Sequence, residues 1–190
     1  MLGGMCAEWS REYRFFGRIG VPTAMVLFVL LPHLDPLFNG AEFRQFENHW
    51  EKEVCTQSKP YSSGPAATAS ILRRFGKNGV EERIARKTFT SQNGTHPWHL
   101  SRFIEKQKLE TTFHLQEPAR GIIVSSLAQI RKSDGLHHIA ILGNNTNGQF
   151  LVGDPAFGEF VFDKSALTNR YDFSGLLPRA CLKKALENWR

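Results

Sequence analysis

The period of the hydrophobic pattern changes partway along this chain, and that change restricts the possible folds more than any other feature. In the first half apolar residues recur at helical spacing. Ala66, Ala67, Ser70, Ile71 and Phe75 mark a helix over Ser63 to Phe75, with Pro65 tolerated in its first turn and Gly76 as a stop. Val80 to Thr88 reads as a second helix with Ile84 and Ala85 inside. A third opens at Pro97, capped by Thr95 or His96, and carries Leu100, Phe103 and Ile104 on one side. In the second half the pattern shortens to that of strands: Gly121 to Ser125, His138 to Leu142, Gln149 to Val152 and Phe157 to Phe162, with turn-rich Gly143 to Gly148 between two of them. Helices first and an antiparallel meander second predict an α+β fold rather than a doubly wound sheet.

Ahead of this domain, residues 17–34 include the apolar run Ile19 to Leu34, interrupted by Pro22 and Pro32. Its length predicts one transmembrane helix serving as a signal anchor. A cleaved signal peptide and a buried or interfacial helix are the other readings. Arg11, Arg14 and Arg18 precede the run, whereas Asp35 and Glu42 follow it before Arg44. The positive-inside rule then predicts a short cytoplasmic N-terminus over 1–16 and a connector over 35–48. The domain over 49–190 falls on the periplasmic or extracytoplasmic side of a single-pass membrane protein. The net charge of +6 comes from scattered lysines and arginines, so it reads as a solvated surface and predicts no nucleic-acid partner. Cys6, Cys55 and Cys181 form no CxxC and have no histidine at zinc spacing, so neither a metal nor another cofactor is expected. Cys55 and Cys181 are open to two readings, a disulfide or buried free thiols.

Acyl transfer from a peptide needs a nucleophile where its charge is favoured, a base within reach, a group to orient that base, and donors for the oxyanion. Gln57, then Ser63-Gly64-Pro65-Ala66, supply an amide donor and a residue at a helix N-terminus, with a glycine that permits close approach. Downstream, His137 lies at the start of one strand and Asp154 at the end of the next. Adjacent antiparallel strands can bring such residues side by side. His138 is the alternative base, since neighbouring strand residues face opposite sides. Taken singly, each of these residues is more often structural than catalytic, and only their order gives them weight.

The segments CTQSKPYSSGPAATASILRRFG, SQNGTHPWHLSRFIEKQKL, HHIAILG and LVGDPAFG, in that order, resemble the bacteriocin-processing, double-glycine-leader cysteine peptidase family of the papain-like clan. The resemblance covers roughly Val54 to Leu167. It implies a papain-like fold, with N-terminal helices packed on an antiparallel sheet, and a peptide or protein substrate. It also implies a membrane-anchored thiol peptidase that cleaves a secreted chain, with a secretion-system protein as a further partner. Carried over by position, Gln57 helps form the oxyanion hole, His137 is the base and Asp154 orients it. The departure is Ser63, which stands where the family has its nucleophilic cysteine. A hydroxyl is far harder to ionise than a thiol, so the resemblance implies that this chain is inactive as a peptidase. A substitution made to silence the enzyme, a naturally degenerate peptide-binding site and a working serine peptidase all fit that departure. A non-catalytic module assisting secretion and another papain-clan transpeptidase are the rival functions.

Overall fold

The computed structural model describes residues 20–43, 46–115, 124–132, 135–173 and 176–181. The chain divides by contacts into two units, Met1–Gly40 and Ala41–Arg190.

In the first unit a helix, α1, forms over Val21–Phe38. It overlaps the expected span at 17–34. The helix as formed takes in Pro32, His33, Asp35 and Pro36, so its unbroken apolar run is only Ala24 to Leu31. A span needs about 20 predominantly apolar residues. Among the described residues no helix is long and apolar enough to cross a membrane. Residues 1–16, expected as a cytoplasmic tail, lie outside the described residues, as do Cys6 and residues 17–19.

The second unit opens with a short ribbon of β1 (Trp50–Glu51) and β2 (Val54–Cys55), paired Trp50 to Cys55. Three helices follow: α2 (Ser63–Arg74), α3 (Glu81–Lys87) and α4 (Pro97–Lys106). All three match the expected positions. Helix α2 is buried from Ser63 to Leu72, which its run of small residues permits. It ends as expected at Gly76, whose φ of +65° suits glycine, with Lys77 N–H donating to the Leu72 carbonyl at 2.8 Å. Helix α3 carries Glu81 and Glu82 in its first turn and Arg86 and Lys87 in its last, which complements the helix dipole. Pro97 opens α4 behind an extended His96.

The remaining strands are β3 (Glu110–Leu115), β4 (Ser126–Lys132), β5 (Gly135–Asn144), β6 (Phe150–Asp154), β7 (Gly158–Phe162) and β8 (Leu176–Cys181). A short helix, α5 (Lys164–Arg170), precedes β8. The strands form one sheet in the order β3-β8-β4-β5-β6-β7, each neighbouring pair antiparallel. This is the expected α+β arrangement. The strand expected over Gly121 to Ser125 is corrected at its last two residues, however. Val124 and Ser125 form a bend, Ser125 has a φ of 54°, and extended structure begins only at Ser126. Residues 121–123 lie outside the described residues.

Both faces of the sheet are covered, which explains why β5 is buried continuously from His137 to Leu142. Leu127, Ala140 and Leu142 pack on one face with Ala66, Ile71 and Leu72 of α2 and with Leu100 and Ile104 of α4. Ala128, Ile130, Ile139, Ile141 and Val152 pack on the other with Leu167 of α5 and Tyr171. Each fully buried Ile or Leu contributes roughly 2 kcal/mol of transfer free energy. Cys55 is buried and is a free thiol, so of the two readings for it the structure shows the unbridged one.

Candidate functional site

Ser63 is the first residue of α2, and Gly64 and Pro65 follow it into the first turn. The backbone N–H groups of a first turn have no acceptor within the helix, so this end favours negative charge. Gly64 permits a close approach here. A Cβ on it would lie 3.0 Å from Leu100 Cδ1 and 3.4 Å from both Thr95 Cβ and His138 Nδ1.

Strand alternation divides the two candidate histidines. His138 shares its face of β5 with Ala140 and Leu142, and that face packs on α2. His137 shares the opposite face with Ile139 and Ile141. There its Nε2 meets Asp154 Oδ1 at 2.7 Å. Tyr171 donates its hydroxyl to Asp154 Oδ2 at 3.1 Å, and the Ala156 N–H donates to Oδ1 at 3.0 Å. Ser63 Oγ instead accepts a hydrogen bond from the His138 backbone N–H at 3.3 Å. The structure therefore brings His137 to Asp154 and Ser63 to His138. It joins Ser63 to neither imidazole by a hydrogen bond. Of the expected Ser63–His137–Asp154 relay, the hydrogen bond between His137 and Asp154 is present and none links Ser63 to His137.

A β-bulge decides this division. Near the hairpin, Asn144 pairs with Phe150 and Gly143 with Leu151, but past the irregularity between Ile141 and Gly143 the pairs are Ile141 with Val152 and Ala140 with Gly153. Were the hairpin register continued without the shift, Ala140 would oppose Asp154, and the carboxylate would share the face of His138. One extra residue in β5 turns it to the face of His137 instead.

Burial governs the electrostatics. His138 is pushed down to about 3, first by burial and then by the charges of His137 and His96, so its ring is neutral near pH 7. Its Nε2 is buried without a hydrogen-bond partner. Such an imidazole is a weak base toward a serine hydroxyl. For Asp154, burial works to raise the pKa, but the hydrogen bond and charge of His137, with help from the Ala156 N–H and Lys132, hold it below the usual carboxylate value. Tyr171 is pushed up by burial and by Asp154, so its hydroxyl stays a donor. Cys55 does not replace the missing thiol: burial and then Glu81 push it up to about 12.

Gln57 lies on the loop between β2 and α2. Its N–H donates to the Pro155 carbonyl at 2.8 Å, which ties this loop to the turn just after Asp154. Its side-chain Oε1 is buried and accepts no hydrogen bond. Gln57 also borders a cavity of about 330 Å³ lined by Glu47, His49, Thr56, Ser58 and Lys59. Sequence reasoning singles out neither these cavity residues nor Tyr171. Tyr171 lies far along the chain from His137, with no local pattern to mark it. Among the described residues no group of His, Cys, Asp and Glu side chains is placed to hold a metal ion.

Comparison with known proteins agrees with this architecture. In solved structures the fold resembles that of a double glycine motif protease from an AMS/PCAT transporter, determined in complex with the leader peptide. The TM-score is 0.55 and the identity 18%, over 66% of this chain and 88% of that one. It also resembles the peptidase domain of Streptococcus ComA, a bifunctional ABC transporter involved in quorum sensing. There the TM-score is 0.55 and the identity 18%, over 67% of this chain and 96% of that one. At such identities the likeness establishes the papain-like fold alone. A curated relative, an uncharacterized protein of Methanothermobacter thermautotrophicus, is 29% identical over 119 residues, 58% of this chain and 77% of that protein. The model of the Peptidase C39 family matches residues 51–179, which contain Gln57, position 63, both histidines and Asp154. The chain thus belongs to the Peptidase C39 family, the double-glycine leader peptidases.

Proposed function

We propose that this chain binds a secreted peptide or protein of the double-glycine-leader kind across the N-terminus of α2 and does not turn it over. The protease from the AMS/PCAT transporter was solved with a leader peptide bound, which supports a peptide as the ligand class here. One observation carries the second half of the reading. The residue in the nucleophile position is Ser63, whose hydroxyl takes a hydrogen bond from a backbone N–H rather than giving one to an imidazole. Of the two imidazoles, one is bound to Asp154 and the other stays uncharged near neutral pH. A cysteine at the same point would ionise more readily at a helix N-terminus beside an imidazole, and would restore the nucleophile of a thiol peptidase.

The experiment pairs the unaltered chain with Ser63→Cys. A peptide ending in Gly-Gly should bind both. A peptide aldehyde of the same sequence should form a hemithioacetal only with the Ser63→Cys variant. Cleavage of a double-glycine substrate by the unaltered chain would overturn the proposal. An extracytoplasmic site of action is part of the same proposal, supported by Arg11, Arg14 and Arg18 ahead of the apolar run. Protease accessibility in whole cells and in lysed cells tests it.

A further inference from the structure

Glu81, the first residue of α3, is fully buried, yet among the described residues no lysine or arginine pairs with it. Its carboxylate accepts two hydrogen bonds from a single residue of the β2–α2 loop: from the Ser58 N–H to Oε1 at 2.9 Å and from the Ser58 hydroxyl to Oε2 at 2.5 Å. Ser58 Oγ also accepts from the Glu47 N–H at 3.0 Å. The Glu81 N–H donates to Asn48 Oδ1 at 3.0 Å. Burying a carboxylate is costly, and hydrogen bonds to neutral donors offset only part of the cost. An apolar side chain would fill this volume with less penalty, so the arrangement calls for an account beyond stability.

Ser58 directly follows Gln57. The Gln57 backbone is held on its other side by the Pro155 carbonyl. The Gln57 carboxamide itself has no hydrogen bond within the protein at Oε1, so the orientation of this side chain depends on how firmly its backbone is fixed. The clamp also comes from a helix that carries no other candidate residue of the site. From this geometry we infer that Glu81 is a positioning residue: its buried carboxylate grips Ser58 and thereby holds the Gln57 carboxamide in place for an oxyanion. The inference rests on the proposed role of Gln57 in that site.

The test uses the full chain with Glu81→Gln, which keeps the volume but can accept from only one of the two Ser58 donors, and with Ser58→Ala, which removes one donor without disturbing the carboxylate. The first readout needs no catalysis. Hydrogen exchange at the Gln57 N–H should quicken by about tenfold or more in both variants, as expected for loss of about one charge-assisted hydrogen bond. Exchange at Ile84 and Ala85 within α3 should stay as in the unaltered chain. The second readout uses the same changes in the Ser63→Cys protein. Affinity for a peptide aldehyde, whose adduct carries an oxyanion, should fall by about tenfold, while affinity for the matching peptide alcohol holds. In a Gln57→Ala background Glu81→Gln should then cost nothing further.

Unchanged exchange at Gln57 in two folded variants would overturn the inference, as would equal losses for aldehyde and alcohol. If the Ser63→Cys protein fails to react with any aldehyde, the peptidase-site reading fails on its own, and the exchange measurement still decides the role of Glu81.

Discussion

His137 and Asp154 meet through Nε2 and Oδ1 at 2.7 Å on the face of the sheet turned away from α2, both buried. Asp154 gathers three donors there, since Tyr171 and the Ala156 N–H complete its shell. Asp154→Ala leaves a buried hydroxyl and a buried imidazole without their acceptor. It should destabilise the fold by about 2–4 kcal/mol. Tyr171→Phe removes only one of the donors and should cost about 1 kcal/mol. Urea unfolding of the two variants checks the order, and a Tyr171→Phe loss as large as that of Asp154→Ala would contradict it.

Asp154 also predicts an acid limb. Its folded-state pKa lies below the ordinary value near 4, so its contribution to stability is complete above about pH 4 and is lost as the pH falls through the folded value. Asp154→Asn should flatten this limb in a pH series of thermal unfolding below pH 4. A limb of unchanged steepness would assign it to other carboxylates.

His138 acts over a higher pH window. Its ring is held to about 3 in the fold against about 6.5 in an unfolded chain, so below about pH 6.5 the unfolded state takes up a proton that the folded state refuses. Stability should therefore decline from pH 6.5 toward pH 3, by up to about 1.4 kcal/mol per pH unit from this group. Comparing urea midpoints at pH 7 and pH 5 isolates the effect. The drop should shrink in His138→Asn, and an equal drop in both proteins would rule the assignment out.

Gly79 packs against the backbone of α2. A Cβ there would lie 2.7 Å from Ala69 Cα and 2.8 Å from the Ala69 carbonyl oxygen, and backbone atoms cannot swing aside as a side-chain tip can. Gly79→Ala should cost about 1–3 kcal/mol. Gly143→Ala is a useful control, since its Cβ would meet only the end of Arg74 at 3.6 Å. Thermal unfolding of the pair should show a clear drop for Gly79→Ala and little change for Gly143→Ala.

Much of this organisation is readable from local chemistry. Pro65, Gly76 and Pro97 punctuate helices through the rigidity or freedom of their own backbones, and the structure begins and ends α2 and α4 where they indicate. Sequence reasoning misses helix α5, although Asp163 caps it by accepting from the Ala166 N–H at 2.7 Å, a signal the sequence does carry. It misses β3 and β8 for a different reason. Each is completed by a partner distant in the chain, Glu110 by Cys181, and neither shows the alternation of a half-buried strand. The strand expected at Gly121 to Ser125 rests on β-branched composition, and at its described end, Val124 and Ser125, that composition yields to a bend with a positive φ at Ser125.

By itself the sequence determined the helix-then-sheet order and the placement of Ser63 at a helix N-terminus, because helix caps, strand period and turn residues act over a few neighbouring positions. Only the tertiary structure decided which of the candidate residues meet. The partner of Asp154 depends on a single-residue bulge between Ile141 and Gly143, and side chains alternate with a period of two, so one residue of register exchanges His138 for His137. The grip of Glu81 on Ser58 is likewise tertiary, since a buried carboxylate finds its donors by packing and not by spacing along the chain.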